Sequence, residues 1–586
     1  MSDTPTFGID LGTTKSAIGW VRDGVPTLIQ VDGDPLVPSI VHVPVDGAAI
    51  VGRRAATWLP TSPERTIHSA KRWMGTTHTW TIDGVVWTPV DVAAAILRHL
   101  ADAAEATTGV RPRRVVITVP AWFSQAQRAD TRRAGELAGL EVARLLNEPT
   151  AASLAHAHGA SIHRTVLVYD LGGGTFDASL VDQDGPLLEV RASHGDTWLG
   201  GDDVDDALVS WLLDRLDAAG EPTAWLRGDP SARAQLRASV ERAKITLSSQ
   251  PTVGVEIPGR AAQAPLTLED LEEVVLPLFQ RTLVSVDRVL ADAGRTPAQV
   301  DRLLLVGGST GLPLVWRGLR KRYGLEGDAA VPPRTAVALG ACVQAGLIDG
   351  AQVDSVLIDV APYALSIGMA TGGVPGFPTH LVCEVVTPRN APLPSRHTLL
   401  VRTNHPTQER IRIPLFQGSD PDPRVNVMLG EIAMEGLPPA PINELHRPIA
   451  VELRHDLDGQ VTVLVIDQLT GRTVEGVVAA DGAEQAELRA RWEAFARAQD
   501  LAFGDPYLPG ASARADGPAH LPQAEACFQQ VAAHHEALRA THPEWVDVLM
   551  GRVLTGRQAL ATGDVTAARE IWQTLEDDLF EACVYL

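Results

Sequence analysis

Two stretches of this chain share one layout. "GIDLGTTKSAIGWV" begins at Gly8 and "VYDLGGGTFDASLV" begins at Val168. Each reads as an apolar strand, then Asp-Leu-Gly, a turn of small residues, and a second strand. Each is followed by a strand–turn–helix unit, "VVITVPAWFSQAQR" in the first half and "LLLVGGSTGLPLV" in the second. Each half then closes on a helix start rich in Pro and Ala, "EPTAASLA" and "PPRTAVALGA". Three matches in the same order imply a doubled supersecondary plan, hence two α/β lobes facing across a cleft.

Glycine-rich turns suit phosphate, because glycine brings backbone N–H groups close with no Cβ in the way. Neither stretch is a Walker loop. In "GIDLGTTKS", Gly8 and Gly12 are one residue too close together, and "DLGGGTFD" lacks a lysine and leads into a strand. A dinucleotide fingerprint would need glycine where Asp177 stands. A strand–turn–strand phosphate cradle fits both. Asp10 and Asp170 stand where strand meets turn, so two carboxylates can hold hydrated Mg²⁺ between them. Lys71 in "SAKRWMG" is a candidate charge for a terminal phosphate, and Glu148 in "NEPTAAS" a candidate to orient the attacking water. Taken singly, each has a plainer reading: a tight turn, a cap for Asp10, a solvated Lys71, a helix-dipole partner for Glu148. The paired layout favours the phosphate reading.

Length and charge narrow the class. The 586 residues exceed one hydrophobic core. A net charge of −22 disfavours a nucleic-acid surface, and no 18-residue apolar run suggests a membrane span. Cys342, Cys383, Cys527 and Cys583 are scattered, as a reducing cytoplasm permits, and the first residues show no secretory pattern. A cytoplasmic protein is expected. His156, His158 and the pair His534–His535 lack a third ligand at metal spacing, and "RPRR" at 111–114 reads as a solvated lead-in to a strand.

After Gly350 the texture changes. "AQVDSVLIDVAP" reads as a linker or an edge strand. From about Tyr363 to Val478, alternating runs such as "HTLLVRT", "RIRIPLFQG", "IAVELRHD" and "QVTVLVID" lie between turn residues, as in a β-sandwich. From about Ala483 the composition turns to Ala, Glu, Arg and Gln with helical patterning.

In order, "GIDLGTTKS", "AKRWMG", "VITVPAWFSQAQR", "AGLEVARLLNEPTAASLA", "VYDLGGGTFD", "GDTWLGGDDVD", "ERAKITLSS" and "LLLVGGSTGLP" resemble the ATPase domain of the heat shock protein 70 (DnaK-type) chaperone family. The likeness runs over roughly residues 6–480 and continues through "VLIDVAP" and "RIRIPLFQG…LGEIAMEGLPPAP". It implies a two-lobed actin-like α/β ATPase domain (1–350, lobes about 1–160 and 161–350), a linker (351–362), a peptide-binding β-sandwich (363–480) and an α-helical lid-like region (481–586). It implies ATP hydrolysis to ADP and phosphate, coupled to binding and release of extended polypeptide.

By the same resemblance, Gly12, Thr13, Thr14 and Lys15 meet phosphate on one lobe, and Gly172, Gly173, Gly174, Thr175, Gly200 and Gly201 on the other. Asp10 and Asp170 hold Mg²⁺ through water, with K⁺ as a further cation; Lys71, Glu148, Thr175 and Asp177 surround the attacking water. Glu241, Lys244 and Ser248 meet the adenosine, with Gly307, Gly308 and Ser309 beneath it. Pro120, Arg128, Val356, Leu357, Ile358 and Asp359 form an interdomain switch, and Val401, Thr403, Asn404, Ile411 and Ile413 carry the peptide pocket. Partners implied are unfolded clients and a J-domain co-chaperone, with no nucleic acid and no membrane, and the chain a monomer.

The chain departs from the family in places. Gly311 stands where an arginine usually stacks on adenine, at a cost on the order of 1 kcal/mol in affinity. Arg334 replaces a usual acidic residue, Ser355 and Val356 dilute the leucine run of the linker, and Thr371 stands near an expected methionine. The segments after Lys71 and after "ITLSS" are short, which weakens the expectation of a nucleotide-exchange factor. A small-molecule phosphotransferase of the actin and sugar-kinase superfamily, or an ATP-binding regulatory scaffold, are the alternatives.

Overall fold

The computed structural model describes residues 4–157, 163–328, 330–350, 356–371, 380–403, 407–439, 446–477, 552–555 and 557–558. The chain divides into two compact units. The first comprises Met1–Pro362 with Asn390–Pro394 and Asp456–Gln460; the second holds Tyr363–Arg389, Ser395–His455 and the remainder from Val461. Among the described residues no helix is long and apolar enough to cross a membrane.

The first unit contains two sheets built to one plan. In one, β1 (Phe7–Asp10), β2 (Lys15–Arg22) and β3 (Val25–Leu28) form an antiparallel meander. β4 (Arg114–Val119) and then β5 (Glu141–Asn147) add in parallel beside β1. In the other, β6 (His163–Leu171), β7 (Phe176–Asp184) and β8 (Leu187–Asp196) form the meander. β9 (Arg302–Val306) then adds in parallel beside β6. The repeat seen in the sequence is therefore a repeat of topology. The linker stretch gives an edge strand, β10 (Val356–Ile358), parallel to Leu187–Glu189 of β8.

Period-2 alternation explains why these strands read as continuous apolar runs: both faces are buried. On β6, Leu167 and Tyr169 enter a core with Leu208, Leu212 and Val286, while Val166 and Val168 enter a different one with Val116, Ala151 and Val306. On β4, Val115, Ile117 and Val119 join Phe7, Ile9 and Leu97 in a third core. Helices cover the outer faces, including α1 (Pro89–Thr108), which packs in the core of the first sheet. Its partner α2 (Gln125–Leu137) starts where the sequence places it. Ser124 Oγ accepts the N–H of Gln127, and Gln127 Oε1 accepts the N–H of Ser124. The two Ala-rich helices, α3 (Glu148–Ala157) and, later in the chain, Ala336–Ile348, cross in contact. At the crossing a Cβ on Gly340 would lie 1.7 Å from the Ala151 carbonyl oxygen, so only glycine allows this approach.

The second unit is a β-sandwich of two four-stranded sheets. One contains β11 (Leu365–Thr371), β12 (His380–Thr387), β14 (Arg410–Gln417) and β15 (Val427–Glu435), with β13 (Ser395–Arg402) belonging to the other. That other sheet continues with β16 (Pro448–His455), β17 (Val461–Asp467) and β18 (Thr473–Val477). Ile367, Ile413, Met434, Val451 and Val463 from both sheets share one core. A buried Arg447–Asp467 pair at 2.6 Å ties the start of β16 to the end of β17. The helical region expected over 481–586 lies outside the described residues except at 552–555 and 557–558.

Candidate functional site: a cleft between two glycine turns

The β1–β2 and β6–β7 turns meet tip to tip. A Cβ on Gly173 would lie 2.3 Å from Thr14 Cγ2, and one on Gly174 would lie 2.6 Å from Thr13 Cγ2. Each turn is fixed by local hydrogen bonds. Ser39 Oγ donates to the Gly12 carbonyl (2.8 Å), and Gly172 N–H donates to the Thr175 carbonyl (3.1 Å). The second turn also rests on the start of α4 (Gly201–Ala218): Gly201 and Asp202 donate their N–H groups to the carbonyls of Gly172 and Gly173. There a Cβ on Gly200 would lie 2.5 Å from the Gly174 nitrogen.

Beneath the turns lies a group of acids. Asp170 and Asp177 face each other across the β6–β7 ladder. Like charges directly opposite destabilise a sheet, so their placement favours function over stability. Burial, then the charge of Glu148, pushes Asp177 up to about 7. Removal from water and then Glu148 push Asp10 up to about 7 as well, although Thr118 Oγ1 donates to it at 3.1 Å. Burial raises Asp170 well above the usual carboxylate range, and Glu148, Asp177 and Asp10 add to it. Asp177 also accepts the N–H of Trp122 at 3.1 Å. Two cations oppose these shifts: Lys71, buried on a short 3-10 turn, donates to Glu148 at 2.5 Å, and Arg128 acts on Asp177. Lys71 is thus a wall of the site, not a solvated lysine.

A cavity of about 310 Å³ opens from this floor, within the range of small-molecule sites. Asp10, Gly12, Thr13, Thr14, Lys15, Glu148, Asp170, Gly172, Gly173, Thr175 and Gly201 line one end of it. Glu241, Lys244 and Ser248, from α5 (Pro230–Leu247) and its C-cap, line the other end with Gly307, Gly308 and Ser309. Lys71, Gly174, Gly200 and Asp177 stand behind this lining. Ser309 Oγ donates to the Gly172 carbonyl at 2.8 Å, joining the two ends. Desolvation lowers the pKa of Lys15, Glu241 opposes the shift, and Arg334 adds to it.

Sequence reasoning missed Leu36, Asp202, Asp205, Ile245, Leu312, Pro333 and Val337 as lining residues and read Arg334 only as a departure from the family. Asp205 pairs with Lys244 at 2.7 Å, and Asp202 accepts from Ser69 (2.6 Å) and Arg237 (2.8 Å). The signal was present in "GGDDVDD", where positions 202 and 205 share one face of α4 at i, i+3.

Two of the expected switch residues, Arg128 and Asp359, are joined through Asn147. Arg128 donates to Asn147 Oδ1 (2.6 Å) and to the Ala121 carbonyl, one residue past Pro120. Asn147 Nδ2 and Thr150 Oγ1 both donate to Asp359 Oδ2 at 3.0 Å, just after Val356, Leu357 and Ile358 of β10. In the second unit, Ile411 and Ile413 are buried in the sandwich core, with Val401 packed against it. Thr403 is buried, its Oγ1 accepting the N–H of Arg447. Asn404 lies outside the described residues. Among the described residues no three His, Cys, Asp or Glu side chains are grouped so as to ligate a metal ion directly.

Burial and mutual repulsion disfavour the charged forms of Asp10 and Asp170, and a divalent cation that prefers oxygen ligands would relieve that, so the residues fit Mg²⁺. The side-chain-free cradle at Gly12 and Gly172–Gly174 fits phosphate. Twin sheets, touching glycine turns and a carboxylate floor define the class of two-lobed nucleotide-hydrolysing α/β proteins. Comparison with known sequences narrows the class. The profile of the family described as Hsp70 protein matches residues 6–84 and 77–500. "Chaperone protein DnaK" of Thermus thermophilus is 37% identical over 498 residues, covering 79% of this chain and 79% of that protein. "Chaperone protein DnaK" of Thermotoga neapolitana is 37% identical over 487 residues, covering 80% of each. The chain belongs to the Hsp70 family. With the family come an actin-like ATPase domain, a β-sandwich, and ATP hydrolysis coupled to substrate binding.

Proposed function

We infer that this chain is an ATP-dependent Hsp70 chaperone whose nucleotide site is the cleft of the first unit and whose client site is the β-sandwich. The observation that carries the reading is the touching pair of glycine turns above a buried carboxylate floor with one ion-paired lysine. Gly12–Lys15 and Gly172–Thr175, with Gly200 and Gly201 supporting the second turn, hold the phosphates. Asp10 and Asp170 hold hydrated Mg²⁺, which when bound offsets phosphate charge. Glu148 orients the attacking water, with Thr175 and Asp177 at its border. Lys71 pairs directly with Glu148 and presents positive charge to the terminal phosphate. Glu241, Lys244 and Ser248 take the adenosine, over Gly307, Gly308 and Ser309. K⁺ as a second cation is consistent with the surplus of acid.

The path Arg128–Asn147–Asp359, with Pro120 and Val356–Ile358, is the switch by which nucleotide state sets client affinity. Residues 351–362 serve as linker, and Val401, Thr403, Asn404, Ile411 and Ile413 belong to the client pocket. Residues 481–586, with their helical patterning, are the lid. The chain works in the cytoplasm, as a monomer, with extended polypeptide clients and a J-domain co-chaperone; the short segments after Lys71 and Ser249 argue against an exchange factor of the DnaK type. Phosphate release from ATP in the presence of Mg²⁺ tests the reading. Steady release that stops with EDTA supports it, and no release above that of an Asp10→Asn, Asp170→Asn double variant would sink it.

A further inference from the structure

Arg334 is a cation of the cleft with no task in that scheme. It precedes Thr335, the N-cap of the helix Ala336–Ile348, and lines the cavity that Glu241 and Lys244 also line, within electrostatic reach of Lys15. The turn carrying it is held in place, since Gly307 donates its N–H to the Pro333 carbonyl at 3.0 Å. Lys244 is committed to Asp205 (2.7 Å) and to the Gly201 carbonyl (3.2 Å). Among the described residues, the Arg334 guanidinium is in no ion pair and no hydrogen bond. Apolar residues share the lining with it: Leu312, Pro333 and Val337, with Ile245 on α5 62% exposed. An exposed apolar side chain and an uncommitted planar cation on one rim suit a flat π-system, because guanidinium planes stack on bases. Gly311 leaves this rim open, with no atom within 4 Å of where its Cβ would be.

We propose that Arg334 is a specificity-determining residue of the nucleotide site, its guanidinium packing on the purine face of the bound nucleotide. The proposal rests on the nucleotide reading above. It also revises the expectation that Gly311 leaves the base without a cationic partner.

The test compares binding of ADP and of inorganic tripolyphosphate, at fixed ionic strength with Mg²⁺, in the full chain and in Arg334→Ala, Arg334→Lys and Arg334→Ala/Gly311→Arg. Arg334→Ala weakens ADP about fivefold and leaves tripolyphosphate within about twofold. Arg334→Lys, which keeps the charge and loses the plane, forfeits most of the same factor. The double variant recovers affinity, because the φ of Gly311 is outside the left-handed region and its Cβ position is open. Equal loss for both ligands, full retention in Arg334→Lys, or unchanged ADP binding in Arg334→Ala would each overturn the proposal. A wild-type chain that binds no ADP would remove the nucleotide reading itself, a result distinct from these and equally fatal to the role of Arg334.

Discussion

Lys71 lies under the glycine turns with Glu148 at 2.5 Å and the Phe123 ring centroid at 5.6 Å. Removing one partner of a buried pair strands the other, at a cost of roughly 3–5 kcal/mol. Lys71→Met is therefore expected to lower both the unfolding free energy and ATP turnover, the latter by about 10²–10⁴-fold. Adding Glu148→Gln restores most of the stability and none of the turnover; recovered turnover would contradict the assigned roles. His68 offers a pH test. Burial, and then the charge of Arg237, hold its pKa below 6.5, so the folded state keeps it neutral. A depressed folded-state pKa means that its contribution is present above pH 6.5 and is lost as pH falls through 6.5 toward the folded value. His42 and His99 shift the same way, also through burial. Asp10, Asp170 and Asp177, whose pKa values are raised, act in the opposite direction over this range, so the His68 contribution is read as a difference. Going from about pH 7.5 to about 5.5 changes the thermal midpoint less favourably in the unaltered chain than in His68→Gln, and the same change in both would remove His68 from the account. At this scale the acids were legible in the sequence, because Asp10 and Asp170 repeat at one place in a repeated motif. The burial of Lys71 was not, because it depends on a glutamate 77 positions away.

The glycine turns behave as one element with the start of α4. A Cβ on Gly200 has no room, since the Gly174 nitrogen and the Gly173 carbonyl carbon lie at 2.5 and 2.6 Å. Both are backbone atoms, so the turn itself must move. Gly200→Ala is expected to cost about 1–3 kcal/mol of stability and to weaken ADP binding more than tenfold, read by calorimetry. Normal affinity would mean that the second turn does not hold phosphate. Elements were legible where local signals sufficed. The Ser124–Gln127 capping box marked the start of α2, and alternation marked β13, β14, β16 and β17. β11, "LSIGMAT", has Gly368 and several small residues in place of clear alternation, and only its partners β12 and β14 make it a strand. Asp205 was missed for the same physical reason, since its partner Lys244 arrives on a different helix.

For the whole molecule, the account requires that nucleotide and client sites be coupled. Coupling between sites is reciprocal in binding free energy and amounts to about 1–3 kcal/mol in typical cases. Asp359 stands where the path from Arg128 and Asn147 reaches the last residues of the first unit. Asp359→Ala removes the acceptor of Asn147 and Thr150 without touching the cleft lining. It is expected to keep basal ATP turnover within about twofold while erasing the effect of client on turnover; full stimulation in this variant would place the switch elsewhere. The paired turns made the ATPase half readable from sequence, whereas the bonds of Asn147 and Thr150 to Asp359 join positions more than 200 apart. The most direct test is the single-turnover rate of ATP hydrolysis by the full chain with and without a panel of unfolded peptides. The account predicts a saturable rise in rate with peptide concentration for at least part of the panel. A rate that stays flat across the whole panel, in a chain that still hydrolyses ATP, would contradict it.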